Sequence, residues 1–442
     1  MTPLDLLADL LAQARIAGAD AADAVLISGT ALSVQRRLGR TEHLERSEGR
    51  DLGLRVFVGR RSAIVSASAV DPAGFAALAA RAVAMARVVP EDPYAGLAEE
   101  ARAVDPTPLD LCDPEEPDAE ALVARAGAAE EAALAVRGVT NSEGAEAGYG
   151  RTDMALMTSA GFAATAVRSS HSISATALAG SGTAMQRDYD YSSAVHLADL
   201  EDAAGIGRRA GERAVTRLNP QRPKTARLPV VFDPRVAASL LGHLAGAING
   251  AAVARGTTFL KDRLGSRIFP AGIDIIDDPL RRRGLRSRAF DAEGVPTAEC
   301  RLVADGVLAS WLLDTRSARQ LGLTSTGHAV RGTGGPPSPA PGNLYLRPGT
   351  LSPAALMADI VEGLYVTELM GMGVNGITGD YSRGAAGFMI RDGAIAGPVA
   401  EITIAGHLLE MFAHLTPADD LRFRRGTDAP TLRVEGMTMA GA

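Results

Sequence analysis

The chain is short of cysteine and of aromatic residues. Cys112 and Cys300 are the only two cysteines in 442 residues, and neither belongs to a CxxC pair. A disulfide framework and a zinc ribbon are thereby excluded. Aromatics make up 4% with a single tryptophan, so the core must be built from Leu, Val, Ile and Ala. There is no excess of positive charge: 45 Lys and Arg face 52 Asp and Glu, a net charge of −7. That balance argues against sequence-independent nucleic-acid binding, which depends on cation–phosphate contacts. The basic clusters Arg281-Arg282-Arg283 and Arg422-Phe423-Arg424-Arg425 read as solvated loop charge. One uncharged run, Val236–Ala254, is long enough to span a membrane, but it is Ala- and Gly-rich and holds His243 and Asn249. It reads as a buried helical segment. The N-terminus has no basic region, and Asp5 and Asp9 interrupt its apolar residues, so no signal peptide is expected and the protein reads as cytoplasmic. No GxSxG elbow or Walker loop occurs. Gly371–Gly376 matches GxGxxG by letter, but no helix follows it. No internal repeat is visible.

The length predicts two domains. In the first, Thr2 caps a helix with Pro3 at its first position and Leu7, Leu10, Leu11 and Ala14 on one stripe. A strand is expected over Ala24–Leu38. Leu52, Leu54, Val56 and Val58 alternate as a second, and Gly59–Ser62 turns it onto Ala63–Ser68. Helices follow after Asp71-Pro72, over Asp118–Val136 and over Asp199–Leu218, with strands from Val139 to Leu178. Ala184–Ser193 reads as a turn. The order suits an α+β fold, an N-terminal α/β layered domain over residues 1–218. Asn219–Arg227, with its prolines and basic residues, reads as a linker. The second domain, residues 228–442, reads as a β-rich sandwich or barrel with peripheral helices. Asp233-Pro234 starts the helix holding His243, and Asp305-Gly306 and Asp392-Gly393 mark hairpin turns. Gly332–Asn343 is too rich in Gly and Pro for regular structure.

A helical zinc hydrolase needs two histidines one turn apart with a general-base Glu after the first. Leu244 follows His243, and Ala247 occupies the position one turn on. The expected site therefore has no metal ligands and no catalytic residue. His407 and His414 are expected on a helix Ala405–Leu415, roughly 10 Å apart along its axis, too far to share one ion. His328, at the opening of the Gly/Pro loop, is a candidate for facing substrate, with local turn bonding by Ser325 and Thr326 as the competing account. Cys300 reads as a small core residue.

The richest segment is Thr378–Phe388, TGDYSRGAAGF, with Asp380, Tyr381, Ser382 and Arg383 set among glycines. Arg383 with Ser382 suits a carboxylate pocket; a tight β-bulge region is the alternative. This segment resembles a signature of the TldD/PmbA family, once called modulators of DNA gyrase, and specifically its PmbA (TldE) branch. Asp51–Val56, Arg187–Ser193 and Phe290–Thr297 extend the resemblance over nearly the whole chain. The TldD branch carries a HExxxH zinc motif and a cysteine near its C-terminus, whereas residues 416–442 here contain no Cys. The resemblance implies an N-terminal α/β domain and a C-terminal β-rich domain. It also implies a metal-free subunit of an intracellular peptidase acting on unfolded or leader-type peptides, with zinc in a TldD-like homologous partner. Assembly would be a heterodimer with that partner or a homodimer, without nucleic acid or membrane. His243, His328, Asp380, Tyr381, Ser382 and Arg383 are the candidate substrate or partner contacts. The rival classes are a free-standing metal-dependent hydrolase with atypical ligands and a non-enzymatic protein-binding regulator.

Overall fold

The computed structural model describes residues 2–442. The chain opens as read from sequence. Thr2 and Asp5 form a capping box on helix α1 (Pro3–Ile16), whose Leu7, Leu10, Leu11 and Ala14 are buried. Strands β1 (Ala21–Arg37), β2 (Arg40–Val58) and β3 (Arg61–Ala67) form a meander, and α2 (Phe75–Val88) returns beside α1. The same sequence of elements then recurs: α3 (Ala119–Leu134), β4 (Val139–Thr158), β5 (Ala163–Ala179), β6 (Gln186–Ala194) and α4 (Ala203–Thr216). Both meanders join in one antiparallel sheet of order β3-β2-β1-β4-β5-β6. An internal repeat therefore exists after all, as a duplicated helix–three strands–helix unit meeting at the β1/β4 pair. It escapes the sequence because the two units share no motif words.

The helices cover the sheet in pairs. α1 and α2 bury Leu52, Leu54 and Val56 of β2, and α3 and α4 bury Leu32, Ala147, Ile173 and Ala175. A Cβ on Gly207 of α4 would sit 1.8 Å from the Ala129 carbonyl oxygen of α3, so the two helix backbones nearly touch.

Residues 186–194, expected as a turn, are instead the edge strand β6. Its period-two signal is hidden because the inward residues are Asp188, Asp190 and Ser192, not apolar ones. The two aspartates face arginines of α4 and of the C-terminal half. Asp188 bonds Arg217 and Arg235, and Asp190 pairs with Arg209, Arg213 and Arg424. The basic clusters are accordingly only partly solvated: Arg282 and Arg422 are exposed, but their neighbours are engaged. Arg282 and Arg283 pair with Asp110, Arg281 stacks on Phe423, and Arg424 reaches Glu201.

In the C-terminal half, β7 (Ala226–Phe232) begins within the stretch read as linker. It pairs parallel with Glu362–Met370, which leads through Asp380–Arg391 to Ala394–His407. Leu432–Ala440 joins both β7 and Ala394–His407, closing a five-stranded barrel. The Asp392-Gly393 hairpin forms as expected, and so does the Asp305-Gly306 hairpin of a smaller neighbouring sheet. Helix α5 (Pro234–Ala247), capped by Asp233, packs its leucines on the barrel core. No helix among the described residues is long and apolar enough to cross a membrane.

Candidate functional site

Helix α5 and the strand Asp380–Arg391 bring three of the six candidate residues together. His243 lies edge-on to the Tyr381 ring, centroids 5.9 Å apart. Nε2 of His243 and the Tyr381 hydroxyl are both buried, and neither has a hydrogen-bond partner. Burial, with a smaller push from the nearby Arg383 charge, lowers the His243 pKa, so the imidazole is neutral near pH 7. Burial likewise raises the Tyr381 pKa. Two unpaired polar groups at one contact are uncommon in a packed core.

The other signature residues face outward. Asp380 and Ser382 are exposed, and Arg383 is half-buried with its Nε donating to the Met370 carbonyl at 3.2 Å. Asp380 accepts a bond from the Thr378 hydroxyl at 2.6 Å. The glycines have packing reasons. Gly379 (φ +89°) lies under the His407 ring, and a Cβ on Gly373 would meet the Ser382 carbonyl at 2.1 Å. The register breaks at Ala385/Gly387 and Phe388/Ile390, so the bulged strand and the polar cluster coexist. The adjoining loop exposes Met370, Met372 and Ile377, Met372 at 91%.

His328 is elsewhere and is 1% exposed. Its ring is held between the Thr326 hydroxyl (2.8 Å) and Asp277 (3.1 Å), so it is turned inward, with Thr326 making the local turn bond. His407 and His414 do not share a helix. His407 ends a strand and caps the short helix Leu408–Ala413, with Nε2 2.8 Å from the Thr378 carbonyl. The strand continues further than expected because Ala405 and Gly406 pair with Ser382 and Tyr381.

Around His243 the donors that zinc requires are not gathered. Leu244 and Ala247 are buried at 0% and 3% exposure, and so is Ile248, where HExxxH spacing would place the second histidine. Among the described residues no three His, Cys, Asp or Glu side chains are grouped to hold an ion. Cys300 packs against the barrel core, and its thiol pKa is raised by burial.

Two clefts of 520 Å³ are present, one within the C-terminal half and one between the halves. One runs along the outer face of α5, lined by Ala238, Gly242, Gly246, Asn249, Arg286 and Pro341. The other is lined by Arg55, Arg255, Glu293, Asp314 and Arg316. Sequence reasoning did not single out Arg55 or Glu293. The available signal was a lone arginine in the otherwise apolar strand Leu52–Val58. Arg55 lies between Asp23 (2.5 Å) and Glu293 (3.5 Å), and Arg331 also pairs with Asp23. Burial alone would raise the Asp23 pKa, but the two guanidiniums outweigh it and hold it low.

Models of three domains match the chain: PmbA/TldA metallopeptidase domain 1 over residues 22–86, the central domain over 112–218 and the C-terminal domain over 225–441. Metalloprotease PmbA of Escherichia coli O157:H7 is 37% identical over 425 residues, 96% of this chain and 92% of that protein. A PmbA homolog of Haemophilus influenzae is 35% identical over 430 residues, 96% and 93% of the two chains. Among solved structures, a putative modulator of DNA gyrase from Bacteroides thetaiotaomicron superposes with a TM-score of 0.90 at 25% identity, covering 99% of both chains. TldE from Thermococcus kodakarensis shares the fold, with a TM-score of 0.87 at 20% identity over 99% of this chain and 100% of that one. Domain by domain and along almost its full length, the chain belongs to the PmbA/TldD metallopeptidase family.

Proposed function

We propose that this chain is the metal-free, non-catalytic subunit of a cytoplasmic TldD/TldE-type zinc metallopeptidase complex that processes or degrades peptides. A zinc-bearing homologous partner supplies the metal and the general base, and this chain shapes the cleft and holds substrate. The observation that carries the reading is that core residues replace the helical zinc-site partners of His243, Leu244 at the general base and Ala247 and Ile248 where a second histidine one turn on or at HExxxH spacing would stand. Two further features support it. The outer face of α5 is open where Gly242 and Gly246 lie, leaving room for an extended backbone. The exposed Met372 and Ile377 beside Asp380 and Ser382 suit contact with a peptide or partner.

Metal analysis of the purified, dialysed chain tests the reading: no stoichiometric zinc and no peptide cleavage are expected. About one zinc per chain, lost on His243→Ala, would support the rival reading of a free-standing hydrolase, which the unpaired Nε2 of His243 favours. In the complex reconstituted with a zinc-bearing homologue, Arg383→Ala should reduce peptide cleavage or partner affinity about ten- to hundred-fold, the worth of one charge-assisted bond. The melting temperature of the isolated chain should change little, because Arg383 makes one backbone bond and no ion pair.

A further inference from the structure

A smaller hollow of 300 Å³ lies where the N-terminal sheet meets loops of the C-terminal half. On the sheet side it is lined by two cross-strand pairs of β4 and β5, Thr152 with Arg168 and Met154 with Ala166. These sit on the sheet face turned away from the helices. Met154 and Ala166 pack with Leu111 against the buried Phe290, so the wall here is apolar.

Three arginines line the same hollow, Arg168, Arg288 and Arg331, against one carboxylate, Asp291. Elsewhere along this joint buried arginines meet acids: Arg55 pairs with Asp23 and Arg235 with Asp188. Arg331 also reaches Asp23, but its Nε is buried without a partner on a side chain only 3% exposed. Arg168 and Arg288 form no ion pair among the described residues. Arg168 donates to the carbonyls of Leu285 and Ser287. Arg288 donates through Nη2 to the Ala340 carbonyl at 3.0 Å, and its Nε is buried and unpartnered. The two acids that act on Arg288 are engaged elsewhere. Asp277 bonds His328 at 3.1 Å, and Asp291 accepts three backbone N–H groups. Carbonyls orient a guanidinium but do not neutralise it, and a buried charge without a counter-charge is costly. Burial, with the Arg288 charge adding to it, lowers the Arg168 pKa to about 10, and burial lowers that of Arg288. Arginines stay protonated near pH 7, so two like charges share one apolar-walled hollow.

We propose that this hollow binds an apolar carboxylate of amino-acid size, with its anionic end on Arg168 and Arg288 and its apolar body against Met154 and Phe290. A guanidinium matches a carboxylate bidentately, and an anion seated there supplies the counter-charge that the fold leaves out. The volume lies at the small end of ligand sites, roughly 300–1,000 Å³. The apolar wall disfavours a bare inorganic anion, which would lose water there without gaining contact. A free small carboxylate and the C-terminal residue of a peptide present the same chemistry. The site uses neither zinc nor the cleft along α5, so it stands apart from the function proposed above.

Calorimetry on the full chain tests it, with N-acetylphenylalanine as probe and N-acetylphenylalaninamide and acetate as controls. Saturable binding of one N-acetylphenylalanine per chain is expected, with the amide and acetate each about tenfold or more weaker. Arg288→Gln and Arg168→Gln should each weaken the acid about tenfold or more and leave the amide unchanged. Neither should lower the melting temperature of the free chain much, because no carboxylate is left stranded. An N-acetylated tetrapeptide ending in phenylalanine separates the two sources. Tighter binding than the single residue identifies a peptide terminus, and equal or weaker binding identifies a free small carboxylate; either supports the site. No saturable binding of N-acetylphenylalanine overturns the proposal, and so does equal binding of acid and amide. Binding indifferent to both arginine variants overturns it as well. Should a variant fail to fold, the comparison of acid with amide on the parent chain decides by itself.

Discussion

Asp291 carries the clearest pH signature of any single residue. It is buried and accepts backbone bonds from Glu293 and Val295 on one oxygen and from Ala329 on the other. Burial, with the Glu293 charge adding to it, raises its pKa to about 7, and the three N–H donors only partly offset this. An acid with a raised folded-state pKa binds its proton more tightly in the folded chain. Its contribution to stability is therefore full below the ordinary value of 3.8 and is lost as pH rises through about 7. Asp291→Asn should flatten the fall in stability across that window, as read by urea unfolding at its two ends. Asp23 and Asp190 have the opposite sign. Burial opposes their ionisation, but arginines prevail and lower both pKa values, so their contribution is lost only as pH falls below the ordinary carboxylate range. At this scale the sequence was informative about identity and weak about environment. The signature residues of Asp380–Arg383 were legible, and so was the lack of a Glu after His243. That His328 points inward, or that Asp291 is sealed from water, depends on chain segments distant in sequence.

Among the elements, α5 offers a sharp test. Gly242 and Gly246 lie mid-helix with nothing within 4 Å of an added Cβ. Gly at such positions is destabilising by roughly 0.5–1 kcal/mol relative to Ala. Gly242→Ala and Gly246→Ala should each raise the melting temperature. If the cleft along this face admits a peptide backbone, both should also lower cleavage by the reconstituted complex. Unchanged cleavage would remove this helix face from the proposed site. Asn219–Arg227 is a second element to probe. We propose that it joins two separately cored units, and trypsin should then cut first at the exposed Lys224, since the bond after Arg222 leads into Pro223 and resists the enzyme. First cuts inside β2 or β3 would count against that division. The elements most legible in sequence were those with local chemical punctuation, the Thr2 and Asp233 caps and the two Asp-Gly hairpins. β6 was missed because its buried face is anionic, and hydrophobic periodicity cannot register a strand whose partners are guanidiniums.

Across the whole molecule, ionic contacts join the N-terminal sheet to the barrel half. Asp188 of β6 is bonded to Arg235 of α5 at 2.6 Å and to Arg217 at 3.2 Å, and Arg217 also reaches Glu368 of the barrel at 2.5 Å. Removing one member of a buried charge network strands the others, at about 3–5 kcal/mol. Asp188→Ala should destabilise the full chain by that order, measured by chemical unfolding. Asp190, with three arginine partners, should behave similarly. By itself the sequence determined the family, the helix caps, the alternating strands and the absence of a helical zinc motif, because each is written in residues close together along the chain. Only the tertiary structure decided the closure of the barrel, the duplicated sheet, the pairing of His243 with Tyr381 and the ionic joint between halves. Each of these depends on contacts between residues far apart in sequence, where charge and shape meet only after the chain has folded.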